Sequence, residues 1–376
     1  MRRVTYQMKL HIFFALIVCL LTFLCSCASC AMGATPHFVL PDALTADSEN
    51  GFSNPLSDRD TADPMITYSQ ENQMYYAVST QDKQIIIYGA KSLKDLFREG
   101  ESRVIYTQNE ADQTYGGFWA PELYFHEGKW YLYTSTNNSP ATSQKHLIVL
   151  VSNTANPFDG FTFGAHINRD TYAIDPTFHL MKSTGKMYLA FSLVVEEEQV
   201  IAIQEMENHL TPSSGYVIIA RASLEWEKVS PTGDSAILEA PHFLEYRGRL
   251  FLFYSANGCW HDDTAIGLLQ FDRRGNMLQE SSWNKLDTPI LKKSNDNFGP
   301  AQISFFLSPD QTEVWASFHC LKQSNPSNQP ITRLCHVQRV YFDKSRFPHI
   351  GDILPIDQFY LLPSGDVACS PMENTQ

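Results

Sequence analysis

After residue 60 the chain is written in short apolar runs rich in β-branched and aromatic residues, broken by Gly, Asn, Asp and Pro. Runs such as Gln84–Tyr88, His146–Val151, Val200–Ile203 and Thr264–Leu269 are strand signals by length, branching and punctuation. Five further runs carry a leading aromatic: Tyr75, Tyr131, Tyr188, Phe251 and Trp315. These recur at roughly 60-residue intervals, a period that marks a radial repeat of sheets. Upstream of each lies a proline motif: Asp63-Pro64, Ala120-Pro121-Glu122, Asp175-Pro176, Glu239-Ala240-Pro241 and Gly299-Pro300. Glu127-Gly128, Arg247-Gly248 and Arg274-Gly275 fall where hairpins should close. Long amphipathic helices are lacking, and one short helix is expected near Ser92–Arg98. The pattern predicts an all-β fold, a five-bladed β-propeller over residues 61–376 preceded by a polar entry linker, 32–60, that wraps onto the first blade. A β-sandwich would also use such strands but would not explain the phase.

The first 31 residues are different. Arg2, Arg3 and Lys9 precede an apolar run from about Leu10 to Leu24, and small residues follow, as in an export signal. Cleavage near Ala31 or Gly33 would release a secreted protein; the alternative is a lipoprotein site that acylates Cys27. Net charge is −13, and removing those three positive charges leaves −16 on the remainder. Such a surface repels nucleic acid and anionic membrane, so no nucleic-acid partner is expected and no membrane contact beyond a lipid anchor. A neutral polysaccharide or oligosaccharide suits it. Cys259, Cys320, Cys335 and Cys369 permit three pairings; Cys320 and Cys335 flank one loop and are the first candidates for a bridge, with free buried thiols the competing outcome. Asn137-Asn138-Ser139 is a lone glycosylation sequon.

A single acid before proline is ordinary turn chemistry. Three at one phase of the repeat are not. Asp63, Asp175 and Glu239 each open the first strand of a blade, and first strands line the channel of a propeller, so the three carboxylates should converge. Crowded and partly desolvated, at least one would be protonated near neutrality, which supplies one base and one acid for glycoside hydrolysis. Phe118 and Trp119 are candidate sugar-stacking groups beside Ala120-Pro121. Arg333 could reach a sugar hydroxyl or hold a carboxylate, and His319 is placed near the channel mouth. Zinc-type Cys/His spacing, phosphate-binding glycine loops and serine nucleophile elbows do not occur.

Taken in order, Ala62–Ile66, Trp119–Leu123, Ile174–Phe178 and Glu239-Ala240-Pro241 resemble glycoside hydrolase family 43, the inverting five-bladed propeller arabinofuranosidases, arabinanases and β-xylosidases. The resemblance covers about residues 60–350. It implies Asp63 as general base, Glu239 as general acid, and Asp175 as the group that orients Glu239 and raises its pKa. Gln204–Met206 and Leu224–Glu227 resemble the arabinofuranosidase branch, which places Arg333 near the reacting sugar. The implied activity is hydrolysis of α-L-arabinofuranosides with inversion; β-xylosidase or endo-arabinanase action within the family, and a non-catalytic sugar-binding propeller, are the alternatives. Two departures stand out. Ala240 replaces the glycine of the usual Glu-Gly-Pro. Gln302 stands where relatives carry a histidine associated with a channel metal, which argues against structural Ca2+; no cofactor is required and Gln302 is placed among the substrate-binding groups. Invertase-like propellers open on Asn-Asp-Pro-Asn, which Ala62 and Met65 do not match.

Overall fold

The computed structural model describes residues 40–41, 43–229, 236–326 and 329–367. The expected leader over 1–31, its candidate lipidation site Cys27, and Cys369 lie outside them. Among the described residues no helix is long and apolar enough to cross a membrane.

Five antiparallel sheets follow one another along the chain, each built from consecutive strands. Their innermost strands are Met65–Ser69, Glu122–His126, Tyr172–Met181, Leu238–Tyr246 and Phe298–Leu307, and these pack around a common axis. The aromatic-led runs form the second strand of every blade and the β-branched runs the third. The third blade has a small irregularity, its third strand pairing with both Thr211–Pro212 and Val217–Ala220. The short helix near residue 93 is a single 3-10 turn, Leu93–Asp95. Glu127-Gly128 and Arg247-Gly248 close hairpins with both residues at positive φ, 49° and 77°, then 46° and 76°. Arg274-Gly275 instead lies inside the longer connection between Phe271 and Trp283.

Alternation along each strand explains why sheets stack into a ring. In Lys186–Val195, Tyr188 and Ala190 face the fourth blade with Leu252 and Tyr254, whereas Leu189, Phe191 and Leu193 face the second with Tyr133 and Val149. Every middle strand divides its apolar residues this way, so each blade is buried on both faces. Burying one such Leu or Phe contributes roughly 1.5–3 kcal/mol.

The entry segment completes the ring. Phe52 and Leu56 fill the seam between first and last blades beside Tyr75, Trp315 and Val337, and Gly51–Phe52 pairs with Tyr360–Leu361. The segment also runs along the last blade's third strand: Asn54 exchanges hydrogen bonds with the Val337 backbone, Leu56 N–H donates to Cys335 O, and Thr61 N–H donates to Arg333 O. That strand edge carries Arg333, so closing the propeller also places it.

Cys320 and Cys335 are free thiols. They sit on neighbouring strands, but the register pairs Cys320 with Leu334 and Cys335 with His319. One residue of offset puts the two side chains on opposite faces of the sheet, in different hydrophobic seams. The bridge suggested by their spacing is therefore absent.

Candidate active site

The five pre-proline residues share an uncommon backbone. Asp63 (φ 55°), Ala120 (43°), Asp175 (53°), Ala240 (56°) and Gly299 (54°) are all left-handed. A bulge accompanies the step in blades three, four and five, where an extra residue enters the inner strand. Left-handed backbone costs a non-glycine residue about 1–2 kcal/mol, and such steps re-aim side chains. The repeat also corrects the phase read from the sequence. Asp63 and Asp175 occupy the left-handed position itself; Glu239 lies one residue earlier, in phase with Trp119.

At or near the step, four of the five inner strands are tied to the preceding blade. Ala120 N–H donates to Thr80 Oγ1 at 2.8 Å, Ala240 N–H to Ser192 Oγ at 3.0 Å, and Gln302 N–H to Ser255 Oγ at 2.9 Å. Asp63 N–H donates to His319 Nδ1 at 3.1 Å, closing the circle from the fifth blade to the first.

The three acids converge as expected. Asp63 is 9% exposed, Asp175 7% and Glu239 8%, enough for one edge of each to meet solvent. Arg333 Nη1 donates to Asp63 Oδ1 at 3.1 Å, and the Thr80 hydroxyl donates to Oδ2. Burial alone would raise the Asp63 pKa, but the Arg333 guanidinium and the Thr80 hydroxyl hold the carboxyl well below the usual carboxylate range. Asp175 Oδ2 accepts from Ser192 Oγ at 3.1 Å and from Ala240 N–H at 3.0 Å. Burial, then the charge of Asp63, pushes Asp175 up to about 7. Glu239 Oε2 accepts from Gln199 Nε2 at 3.3 Å, while Oε1 is buried without a partner. Burial, then Asp175, then Asp63, pushes Glu239 up to about 8. The cluster thus holds one firmly ionised carboxylate beside two that titrate near neutrality.

Other expectations fare differently. Trp119 is 38% exposed, its ring face 3.9 Å from Lys145 Nζ. Phe118 is wholly buried, edge-on to Tyr106 at 5.8 Å in the seam between blades one and two, so it cannot stack on a sugar. Side chains alternate along an extended segment, and only one of two neighbours can face the site. His319 is also fully buried; it backs Asp63 rather than lining the mouth. Arg333 holds the carboxylate. Gln302 is 8% exposed and is anchored to Ser255, the cross-strand partner of Glu239.

Thr80, Ser192, Gln199, Cys259 and Lys145 were not anticipated. Cys259 Sγ accepts from Arg333 Nη1 at 3.2 Å. Thr80, Ser192 and His319 follow their blades' leading aromatics by five, four and four residues, so the aromatic phase could have found them. Gln199, Cys259 and Lys145 carry no such signal. Glu122, the acid of the second motif, serves the channel floor: its Oε1 lies 2.7 Å from His242 Nδ1, and Tyr124 donates to its Oε2. That link joins blades two and four across the axis. Among the described residues no cluster of three or more His, Cys, Asp or Glu side chains forms a metal-ligand set.

Comparison with known proteins bears on the fold and the family. The family model described as Glycosyl hydrolases family 43 matches residues 52–348. An extracellular exo-α-(1→5)-L-arabinofuranosidase of Streptomyces avermitilis is 26% identical over 338 residues, covering 87% of this chain and 68% of its own length. A protein of the same name from Streptomyces chartreusis is 25% identical over 268 residues, covering 69% and 79%. Among solved structures, an α-L-arabinofuranosidase from Lactobacillus brevis superposes with a TM-score of 0.73 at 24% identity, covering 81% of this chain and 98% of that one. With the family model matching most of its length and the same ring in a solved relative, the chain belongs to glycoside hydrolase family 43 and is a glycoside hydrolase.

Proposed function

We propose that the protein is an exported enzyme that hydrolyses α-L-arabinofuranosidic linkages of plant-type polysaccharides or oligosaccharides with inversion. The observation that carries the chemistry is Glu239: a carboxyl kept protonated to about pH 8, with one oxygen bonded to Gln199 and the other buried and unpartnered. A carboxyl that keeps its proton at neutral pH and shows one edge to solvent can protonate a leaving group. Asp63, ionised and braced by Arg333 and Thr80, is suited to take a proton from water on the other face of the sugar. Asp175 anchors the Ala240 amide next to Glu239 and opposes ionisation of that acid, which makes it an orienting group. Trp119 supplies an exposed ring for the sugar face.

The arabinofuranoside choice is supported by the names of the curated relatives, and export by the leader pattern and by the word extracellular in two of those names. The test is hydrolysis of α-L-arabinofuranosyl and β-D-xylosyl disaccharides, with the first-formed anomer read by proton NMR. Release of β-L-arabinofuranose is expected. Retention of configuration would sink the mechanism, and exclusive turnover of the xyloside would move the substrate. Replacing Glu239 by Gln should lower kcat on an unactivated disaccharide by about 10²–10⁴ while leaving binding intact; full activity would remove Glu239 as the acid.

A further inference from the structure

Lys145 is 1% exposed, an unusual place for an ammonium group. It lies opposite Asn137 in the hairpin between the second and third strands of blade two. Its Nζ donates to Gly117 O at 2.9 Å and to Asn137 Oδ1 at 2.6 Å, and faces the Trp119 ring at 3.9 Å. The backbone has been shaped around it. Gly117 is left-handed (φ 62°), and a Cβ there would fall 2.0 Å from Nζ and 2.7 Å from Asn137 Oδ1. The indole, meanwhile, hangs from a pinned backbone: Trp119 O accepts from Thr134 Oγ1 at 2.7 Å, and Phe118 O from Gln81 N–H at 2.9 Å.

An uncharged donor would satisfy the Gly117 and Asn137 oxygens without the cost of desolvating an ammonium. The charge adds something at the ring face, where a cation is attracted to the indole. Trp119 occupies in blade two the position that Glu239 holds in blade four, one residue ahead of the left-handed step. We propose that Lys145 is a positioning residue for the sugar site: its ammonium fixes the plane of the Trp119 indole as a platform for the pentose ring, and loss of its proton releases that platform. A platform held in advance spares the bound state the entropy of ordering it. The charged groups acting on Lys145 are Asp82 and Asp175; burial outweighs them and pushes the ammonium down to about 8. The switch therefore falls where a slightly alkaline medium would operate it. The inference rests on the arabinofuranosidase reading only for the choice of sugar probe.

The full chain labelled with 5-fluorotryptophan gives a direct readout, the Trp119 fluorine resonance being assigned by its loss in Trp119→Phe. Titration from pH 6 to 10 should move this resonance with a midpoint near 8. In Lys145→Gln, which keeps a hydrogen-bond donor but no charge, it should stay flat when the titration is run in a Glu239→Gln, Asp175→Asn background, where neither neighbouring carboxyl titrates near 8. Arabinobiose binding is then measured by calorimetry in a Glu239→Gln background. At pH 7 Lys145→Gln should weaken it about three- to tenfold; at pH 9.5 the two chains should bind alike. A folded Lys145→Gln chain with unchanged affinity, or a resonance that still titrates in it, overturns the proposal. If that variant does not fold, the titration is repeated with Lys145 intact in Glu239→Gln, Asp175→Asn, where neither neighbouring carboxyl titrates near 8; a flat resonance there overturns it. The fluorine readout needs no sugar, so it stands or falls separately from the substrate assignment.

Discussion

Asp175→Asn separates the charge of this residue from its shape. Asparagine keeps an oxygen that can accept from Ser192 and from the Ala240 amide, so the bulge that aims Glu239 is preserved. What disappears is the negative charge, the second-largest cause, after burial, of the raised Glu239 pKa. With an effective dielectric of about 20, a neighbouring like charge is worth on the order of 1–3 kcal/mol, less where solvent at the cluster's open edge screens it. With about 1.4 kcal/mol per tenfold change, the dissociation constant of Glu239 should rise roughly ten- to a hundredfold. The direction follows from the role. A general acid must carry its proton, so in the parent enzyme kcat/KM on an unactivated arabinobioside should fall above about pH 8. In Asp175→Asn, Glu239 loses its proton sooner, and this basic limb should move down by roughly one to two pH units. The assay is kcat/KM from pH 4 to 10 on a disaccharide, since a nitrophenyl leaving group would mask the need for an acid. A limb that stays at pH 8, or moves up, would refute the assignment of Asp175 as the charge that keeps Glu239 protonated.

Arg333→Met should act on the opposite limb. Asp63, held below its ordinary 3.8, contributes stability that is present above that value and is lost as pH falls through the depressed folded value. Without the guanidinium the acid limb of kcat/KM should move toward neutral pH, and chemical denaturation at pH 7 should show a loss of about 3 kcal/mol; an unmoved limb would mean that Thr80 suffices. Gly117→Ala forces a Cβ into the Lys145 ammonium and a side chain into left-handed backbone, so a stability loss of at least about 1–2 kcal/mol is expected, with KM raised more than kcat is lowered. Alkylation of the denatured, unreduced chain followed by mass spectrometry should label both Cys320 and Cys335, and protection of the two together would contradict the register that separates them.

Much of this architecture could be read along the chain because it is periodic. A blade needs a turn, an inner strand and an aromatic second strand, and Tyr75, Tyr131, Tyr188, Phe251 and Trp315 mark that unit five times over. The acids stood out for the same reason: Asp63 and Asp175 interrupt a repeat whose other members are Ala120, Ala240 and Gly299. Sequence by itself therefore determined the fold, the ring order and which carboxylates meet. It could not settle contacts between blades. Phe118 and Trp119 look alike as neighbours, and only the seam with Tyr106 shows which of them is buried. Cys320 and Cys335 look like a bridge until the register places them on opposite faces. Arg333, Cys259, Gln199 and Lys145 come from loops and strand ends with no periodic signature, and their roles depend on where the ring closes. The repeat is local, enforced by turn chemistry and alternation within each sheet. The protonation states belong to the tertiary structure, because burial and neighbouring charge come from residues hundreds of positions apart, as Asp63 and Arg333 show with a separation of 270.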